Sequence, residues 1–221
     1  VVFNGEIYNF REIREELIGK GHAFQTRSDT EVLVHLYEER GPAMVERLRG
    51  MFAFAIWDVR QRRLLLARDR IGLKPLYVYR DDEKLLFGSE LKAILAHPNV
   101  DRTIDPKAID DYLALGMVPG ERCVFRRCRK LPPAHVLAVG ADDLHAAPRR
   151  YWQYRMEADS HRTLPEWEEA LRAKIDETVA AHQIADVPVG AFLSGGLDSS
   201  IMVATQSRLA GEPVQTYSIG F

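Results

Sequence analysis

The alternation of apolar and polar positions predicts a short strand, two helices and two strand pairs over the first ninety residues or so. Val1-Val2-Phe3 is an apolar run leading into a turn at Asn4-Gly5-Glu6. Asn9 reads as a helix cap with Glu12 as its capping-box partner. Phe10, Ile13, Leu17 and Ile18 give that helix an apolar side, and Gly21 ends it. Ser28-Asp29-Thr30-Glu31 repeats the capping pattern before a helix carrying Val32, Leu33, Leu36 and Tyr37, which stops at Gly41. Met51 to Asp58 is then apolar on both faces, with Phe52, Phe54 and Ile56 on one and Ala53, Ala55 and Trp57 on the other. Such a strand belongs in a sheet covered on both sides. It pairs through Arg60-Gln61-Arg62 with Leu64 to Ala67, and a second pair joins Leu76–Tyr79 to Leu85–Gly88 through Asp81-Asp82-Glu83. Four strands with covering helices predict a layered, antiparallel α+β domain.

Further along, Asp105, Pro106 and Gly116 mark the cap, first turn and end of a helix. The stretch 142–162 is polar and irregular and reads as a linker between a domain at 1–155 and a second at 163–221. Thr163-Leu164-Pro165-Glu166 opens a long helix, along which Trp167, Leu171, Ile175 and Val179 lie four apart. A strand (Val189 to Leu193), a glycine loop, a helix (Ile201 to Leu209) and a strand (Val214 to Ile219) complete a βαβ unit, the mark of a parallel α/β sheet. The apolar character of both chain ends reads as an internal fragment of a longer protein.

Composition narrows the function classes. With 221 residues, 46% hydrophobic and 28% charged, the chain has room for one or two ordinary globular domains. A net charge of −2 gives no electrostatic ground for nucleic acid or an anionic membrane surface as partner. No apolar run approaches a membrane span and no signal peptide is visible. Two cysteines do not make a disulfide scaffold, which fits the cytoplasm as location.

The chemistry concentrates in two places. Ser194-Gly195-Gly196-Leu197-Asp198-Ser199-Ser200 stands between a strand and a helix, where glycines admit a ligand to the backbone and first-turn N–H groups bind anions. Hydroxyls and an acid replace the lysine of a Walker loop, so the loop suits a nucleotide's phosphates with Asp198 free to hold Mg²⁺. At the other end, an Asn amide beside a Gly N–H could give the two donors of an oxyanion hole at Asn4-Gly5. The carboxylate of Asp29 could hold an ammonium group. On their own, Asn-Gly is also a common turn, and Ser28-Asp29 an ordinary helix start.

Asn4-Gly5-Glu6-Ile7-Tyr8-Asn9, Ser28 to Glu31, Gly50 to Ala55, Ala67-Arg68-Asp69-Arg70-Ile71-Gly72-Leu73-Lys74-Pro75-Leu76-Tyr77 and the Ser194 heptad, in that order, resemble glutamine-hydrolysing asparagine synthetases. The resemblance implies an N-terminal-nucleophile hydrolase αββα sandwich that acts as a glutaminase, followed by the start of a Rossmann-like ATP pyrophosphatase domain. It implies ammonia transfer from glutamine to the ATP-activated carboxylate of aspartate, with ATP and Mg²⁺ as cofactors, and leaves a homodimer open. By it, Asn4 and Gly5 form the oxyanion hole and, with Glu6 and Asp29, contact glutamine. Leu193 and Ile219 line the nucleotide site, while Ser194, Gly195, Gly196, Leu197, Asp198 and Ser199 hold pyrophosphate, Asp198 through the metal. The family's nucleophile, a cysteine at the mature amino terminus, has no counterpart among these residues, so the 221-residue chain alone is expected to be inactive.

Other features receive plainer readings. Cys123 and Cys128 have no second pair to make a zinc site. The basic run Arg126 to Lys130 reads as a solvated loop, Arg68-Asp69-Arg70 as either a functional loop or an internal ion pair at a strand end, and the seven histidines show no catalytic or metal spacing. Two other readings stay open: a ligase acting on another carboxylate acceptor, and a non-catalytic homologue that binds a nucleotide or amino acid.

Overall fold

The computed structural model describes residues 1–141, 143–158, 161–211 and 213–220. Asp142, Asp159 and Ser160 of the expected linker, with Glu212 and Phe221, lie outside the described residues. Two compact units result, one of Val1–Tyr154 and one from Arg155 onward.

The first unit runs β1 (Val2–Ile7), α1 (Phe10–Gly19), α2 (Asp29–Arg40), a 3-10 turn (Gly41–Glu46), β2 (Gly50–Asp58), β3 (Arg63–Arg68), β4 (Tyr77–Arg80) and β5 (Leu85–Gly88). It continues with α3 (Leu91–Leu95), α4 (Pro106–Leu115), β6 (Cys128–Lys130), β7 (His135–Gly140) and β8 (Arg149–Arg150). One antiparallel sheet has the order β1-β2-β3-β7-β8 and a second the order β5-β4-β6.

Three apolar layers explain the two-faced β2. Phe52, Phe54 and Ile56 pack with Ile13, Leu17, Val32, Leu33 and Leu36 of the helices. Ala53 and Ala55 look the other way, onto Val78 of the second sheet and onto Leu76 and Leu131, which flank its strands. The outer face of that sheet, with Tyr79 and Cys128, meets Ile94 of α3. The order is helix, sheet, sheet, helix, as the αββα expectation required. Trp57, expected to share the Ala53–Ala55 face, lies beside the hairpin turn and is 52% exposed.

Several local expectations fail for tertiary reasons. Asn4-Gly5-Glu6 is not a turn: β1 runs straight through it and pairs residue for residue with β2. Asn9 does not cap α1 through its side chain, which instead accepts from Arg49 N–H (2.9 Å) and donates to Arg47 O (3.0 Å). Glu31 completes no box with Ser28 but accepts the N–H groups of Gln25 and Thr26 at 2.7 and 2.6 Å. Ser28 still caps α2, accepting from Thr30 N–H at 3.1 Å. Strands β6, β7 and β8 were not anticipated. The most consequential is β7, whose Val136, Leu137 and Val139 are all buried between β3 and β8.

The second unit holds α5 (Leu164–His182), β9 (Ala191–Phe192), α6 (Leu197–Ala210) and β10 (Thr216–Tyr217). Strands β9 and β10 pair in parallel across α6, as the βαβ reading requires, though they are shorter than the apolar runs suggested. Glu166 closes the Thr163 cap, accepting its N–H at 2.7 Å and its hydroxyl at 2.8 Å. Of the four-spaced side of α5, Val179 is buried while Trp167 and Leu171 are 44% and 61% exposed. Among the described residues no helix is long and apolar enough to cross a membrane.

Candidate functional site

The first site is set by the hydrogen-bonding phase of the edge strand. Phe52 N–H donates to Asp69 Oδ2 at 3.2 Å, and Asp69 N–H donates to Phe52 O at 2.8 Å. The N–H and C=O of one residue in an antiparallel strand point to the same side. Phe52 therefore offers nothing to its register partner Gly5, whose own N–H and C=O turn away from β2, off the open edge of the sheet. Ile7, two residues on, has the same phase, and its outward N–H is taken by Asp29 Oδ2 at 3.0 Å. Asp29 is there because it is the first residue of α2, directly after the Ser28 cap. Gly5 and Ile7 are separated by about 7 Å along the strand, so the Gly5 N–H and the Asp29 carboxylate share one edge.

Gly5 could be no other residue. Its φ is +153°, and a Cβ there would lie 2.1 Å from Met51 O and 2.7 Å from the Cα of Phe52. On the facing strand, a Cβ on Gly50 would lie 2.1 Å from Glu6 O. The two glycines let β1 and β2 approach closely at the point where the outward N–H is displayed. Asn4 alternates with Gly5 and sends its side chain toward the second sheet's end, where Nδ2 donates to Ser89 Oγ at 3.0 Å. Glu6 is exposed and shares the Asn4 face by alternation. Burial raises the Tyr8 phenol above its ordinary pKa, and the charges of Glu6 and Asp69 push it further the same way.

Asp69, read from the sequence as half of an ion pair, is instead an anchor for the backbone. It is fully buried, and its Oδ1 accepts from Ile71 and Leu73 N–H at 3.2 and 2.9 Å. Its Oδ2 accepts from Phe52 and Lys74 N–H at 3.2 and 3.0 Å. Arg68 donates instead to three carbonyls, those of Lys74, Leu131 and Gly72, at 2.7–2.8 Å. The two neighbours are thus each held by backbone groups, which replaces the expected ion pair as the reason for the stretch. Burial lowers the Arg68 pKa, with the Asp69 charge opposing the shift.

In the second unit, α6 starts at Leu197, within the heptad rather than after it, with Gly196 as N-cap and Gly195 at φ +81°. Ser194 Oγ and Ser199 Oγ lie 3.0 Å apart, and Ser199 and Ser200 both donate to Gly196 O, at 3.1 and 2.8 Å. Asp198 falls in the first helical turn. No atom lies within 4 Å of where a Gly195 Cβ would be, so that side of the loop is open. Ser218 Oγ donates to Leu193 O at 2.6 Å and so brings the exposed Ile219 beside the strand that feeds the loop.

The structure thus groups Asn4, Gly5, Glu6 and Asp29 along one strand edge, and Leu193 through Ser199 with Ile219 around one loop. Ser89 and Ser218 support those groups without any sequence signal, because each acts across a long separation, and Asp69 does so from within a motif whose role the sequence left unread.

Residues 1–152 match the glutamine amidotransferase domain family, and the chain belongs to it. Residues 170–221 match a further family, asparagine synthase. Asparagine synthetase [glutamine-hydrolyzing] 3 of Bacillus subtilis is 38% identical over 228 residues, covering 100% of this chain and 36% of the relative. Putative asparagine synthetase [glutamine-hydrolyzing] 2 of Methanocaldococcus jannaschii is 35% identical over 227 residues, covering 100% and 43%. The chain therefore spans well under half the length of these curated relatives. A solved glutamine phosphoribosylpyrophosphate amidotransferase from B. subtilis, complexed with ADP and GMP, covers 97% of this chain and 44% of its own, at a TM-score of 0.48 and 19% identity.

Proposed function

We propose that this chain is part of a glutamine-dependent, AMP-forming amide ligase of the asparagine synthetase type. The observation that carries the reading is the outward phase of Gly5, with the Asp29 carboxylate one residue pair away on the same edge; Asn4 is the next residue along the strand, its amide held by Ser89 Oγ. In this reading the Gly5 N–H and the second N–H of the Asn4 amide serve the oxyanion that forms when the side-chain amide of glutamine is attacked, and one such donor is worth about 3–4 kcal/mol of barrier. Asp29 holds Ile7 N–H with Oδ2, and in this reading its Oδ1, met by the Ser28 and Thr30 hydroxyls at 3.4 and 3.5 Å, takes the substrate's α-ammonium, with Glu6 adding a contact from the same strand. The attacking group in this reading is the family's amino-terminal cysteine. Neither Cys123 nor Cys128 takes that part, since both are buried in the core beneath α3.

In the second unit the residues fit a nucleotide's phosphates. The Ser194 and Ser199 hydroxyls, the N–H groups of the first α6 turn and the open side at Gly195 form an anion cradle, and Asp198 adds a hard oxygen ligand for Mg²⁺. Leu193 and Ile219 border it. ATP with Mg²⁺ supplies the activation of the acceptor carboxylate, that of aspartate in this reading, as an acyl-adenylate.

The test uses the intact protein with glutamine, ATP and Mg²⁺. Aspartate should elicit pyrophosphate and asparagine in equal amounts. Pyrophosphate release indifferent to aspartate would overturn the acceptor, and none with any carboxylate would overturn the ligase.

A further inference from the structure

Three side chains from the α1–α2 hairpin converge outside the site described above. His22 sits just past the end of α1, where Gly21 N–H bonds Ile18 O and His22 N–H bonds Leu17 O, fixing the backbone. His35 and Glu38 lie on α2, three residues apart and so on one face. His22 Nδ1 is 3.1 Å from His35 Nδ1, and Glu38 Oε2 is 3.6 and 3.3 Å from those two nitrogens. A zinc ion with bonds of about 2.0–2.1 Å to three corners of a tetrahedron needs its ligand atoms about 3.3–3.4 Å apart. The observed triangle averages that edge.

The far sides of both rings point to the same conclusion. His22 Nε2 lies 3.1 Å from Glu39 Oε1, and His35 Nε2 lies 3.7 Å from Glu31 Oε1. The Glu39 carboxylate behind His22 is within hydrogen-bond distance of Nε2 and favours the tautomer with Nδ1 bare, the arrangement that orients metal-binding histidines, while Glu31 stands farther behind His35. The two Nδ1 atoms and the Glu38 carboxylate oxygen face one another, and a cation between them satisfies all three. Three glutamates surround the pair, while Lys20 is engaged with Glu39 and Glu16 at 3.3 and 2.9 Å. Phe24 packs against His35 at a tilt, with ring centroids 4.4 Å apart. Both rings are half-buried and Glu38 is exposed, which leaves the fourth position open to water.

We infer that His22 Nδ1, His35 Nδ1 and Glu38 Oε2 bind a divalent late transition metal, such as Zn²⁺, that staples the end of α1 to α2. Imidazole nitrogens with one carboxylate favour such an ion over Mg²⁺ or Ca²⁺. Because α2 begins with Asp29, the ion would also brace the helix that holds the β1 edge.

The experiment takes the intact protein, stripped with a chelator and dialysed, and titrates Zn²⁺ by calorimetry. Thermal unfolding is followed with and without the metal. The wild type should bind one Zn²⁺ that the double variant His22→Gln/His35→Gln does not, and its Tm should rise by several degrees with the metal present. Glu38→Gln changes only an exposed side chain, so it should fold normally yet bind at least tenfold more weakly. Co²⁺ should give the visible bands of a four-coordinate site in the wild type alone. Equal Zn²⁺ stoichiometry and affinity in wild type and Glu38→Gln, or no uptake by the wild type at about 100 µM metal, would overturn the assignment.

Discussion

Replacing Gly5 by alanine should open the sheet at its working edge. The new methyl would lie 2.1 Å from Met51 O, against about 3.3 Å for an ordinary carbon–oxygen contact, so β1 must retreat by roughly 1 Å. Because Gly5–Phe52 is the non-bonded pair, the pairs on either side, Asn4–Ala53 and Glu6–Met51, carry the ladder bonds. A retreat of that size stretches those bonds past about 3.5 Å. Losing three or four of them at about 1 kcal/mol each, with about 1 kcal/mol of strain for a side chain at φ +153°, gives roughly 4–5 kcal/mol. For a unit of this size that lowers Tm by about 10–15 °C. Urea and thermal unfolding of the intact protein, followed by circular dichroism, measure it. Gly140→Ala is the control, since nothing lies within 4 Å of its added Cβ, and it should leave stability unchanged. A Gly5→Ala protein within about 1 kcal/mol of wild type would refute the close-approach argument.

Three further outcomes follow from the same structure. Asp69→Asn puts an amide NH₂ where Oδ2 accepts from Phe52 and Lys74, leaving two donors unsatisfied; a loss of about 3 kcal/mol in urea unfolding is expected, and a loss below about 1 would count against the anchor. The Asp81 carboxyl is held below its ordinary pKa first by the Lys84 ammonium and then by the Glu83 N–H. Its folded pKa is depressed, so its contribution is present above about pH 4 and fades as pH falls below that. Comparing the urea midpoints of wild type and Asp81→Asn at pH 6 and about pH 2.5 should show the gap closing in acid; a constant gap would contradict it. In the second unit, Asp198→Ala should abolish aspartate-dependent ATP–pyrophosphate exchange while glutamine hydrolysis persists, and retained exchange would remove Asp198 from the metal's ligands.

What the sequence disclosed was mostly local. The Asp105-Pro106 start and Gly116 end of α4, and the Thr163–Glu166 opening of α5, are read correctly because each cap is satisfied within its own turn. The double-faced apolarity of β2 identified a layered sandwich, since only a strand covered on both sides has that pattern. Readings failed where a distant partner outbid a local one. Asn4-Gly5 looks like a common turn, but its glycine serves a close strand approach that only the facing strand explains. The side chain of Asn9 bonds the segment at Arg47–Arg49 instead of its own helix. The motif that holds Asp69 was visible but its role was not, since the carboxylate is solvated by amides from two segments; His22 and His35 carry no signal, being thirteen residues apart on different elements.

The central claim, that the outward edge of β1 is the glutamine site, is tested most directly by glutamate release from the intact protein. Asn4→Ala removes one oxyanion donor while leaving the Asn4–Ala53 backbone pair in place, and should lower kcat by about 10²–10³ with KM little changed. Asp29→Asn keeps an acceptor for Ile7 N–H but removes the charge, and should raise KM instead. Wild-type glutamine turnover in Asn4→Ala would contradict the account.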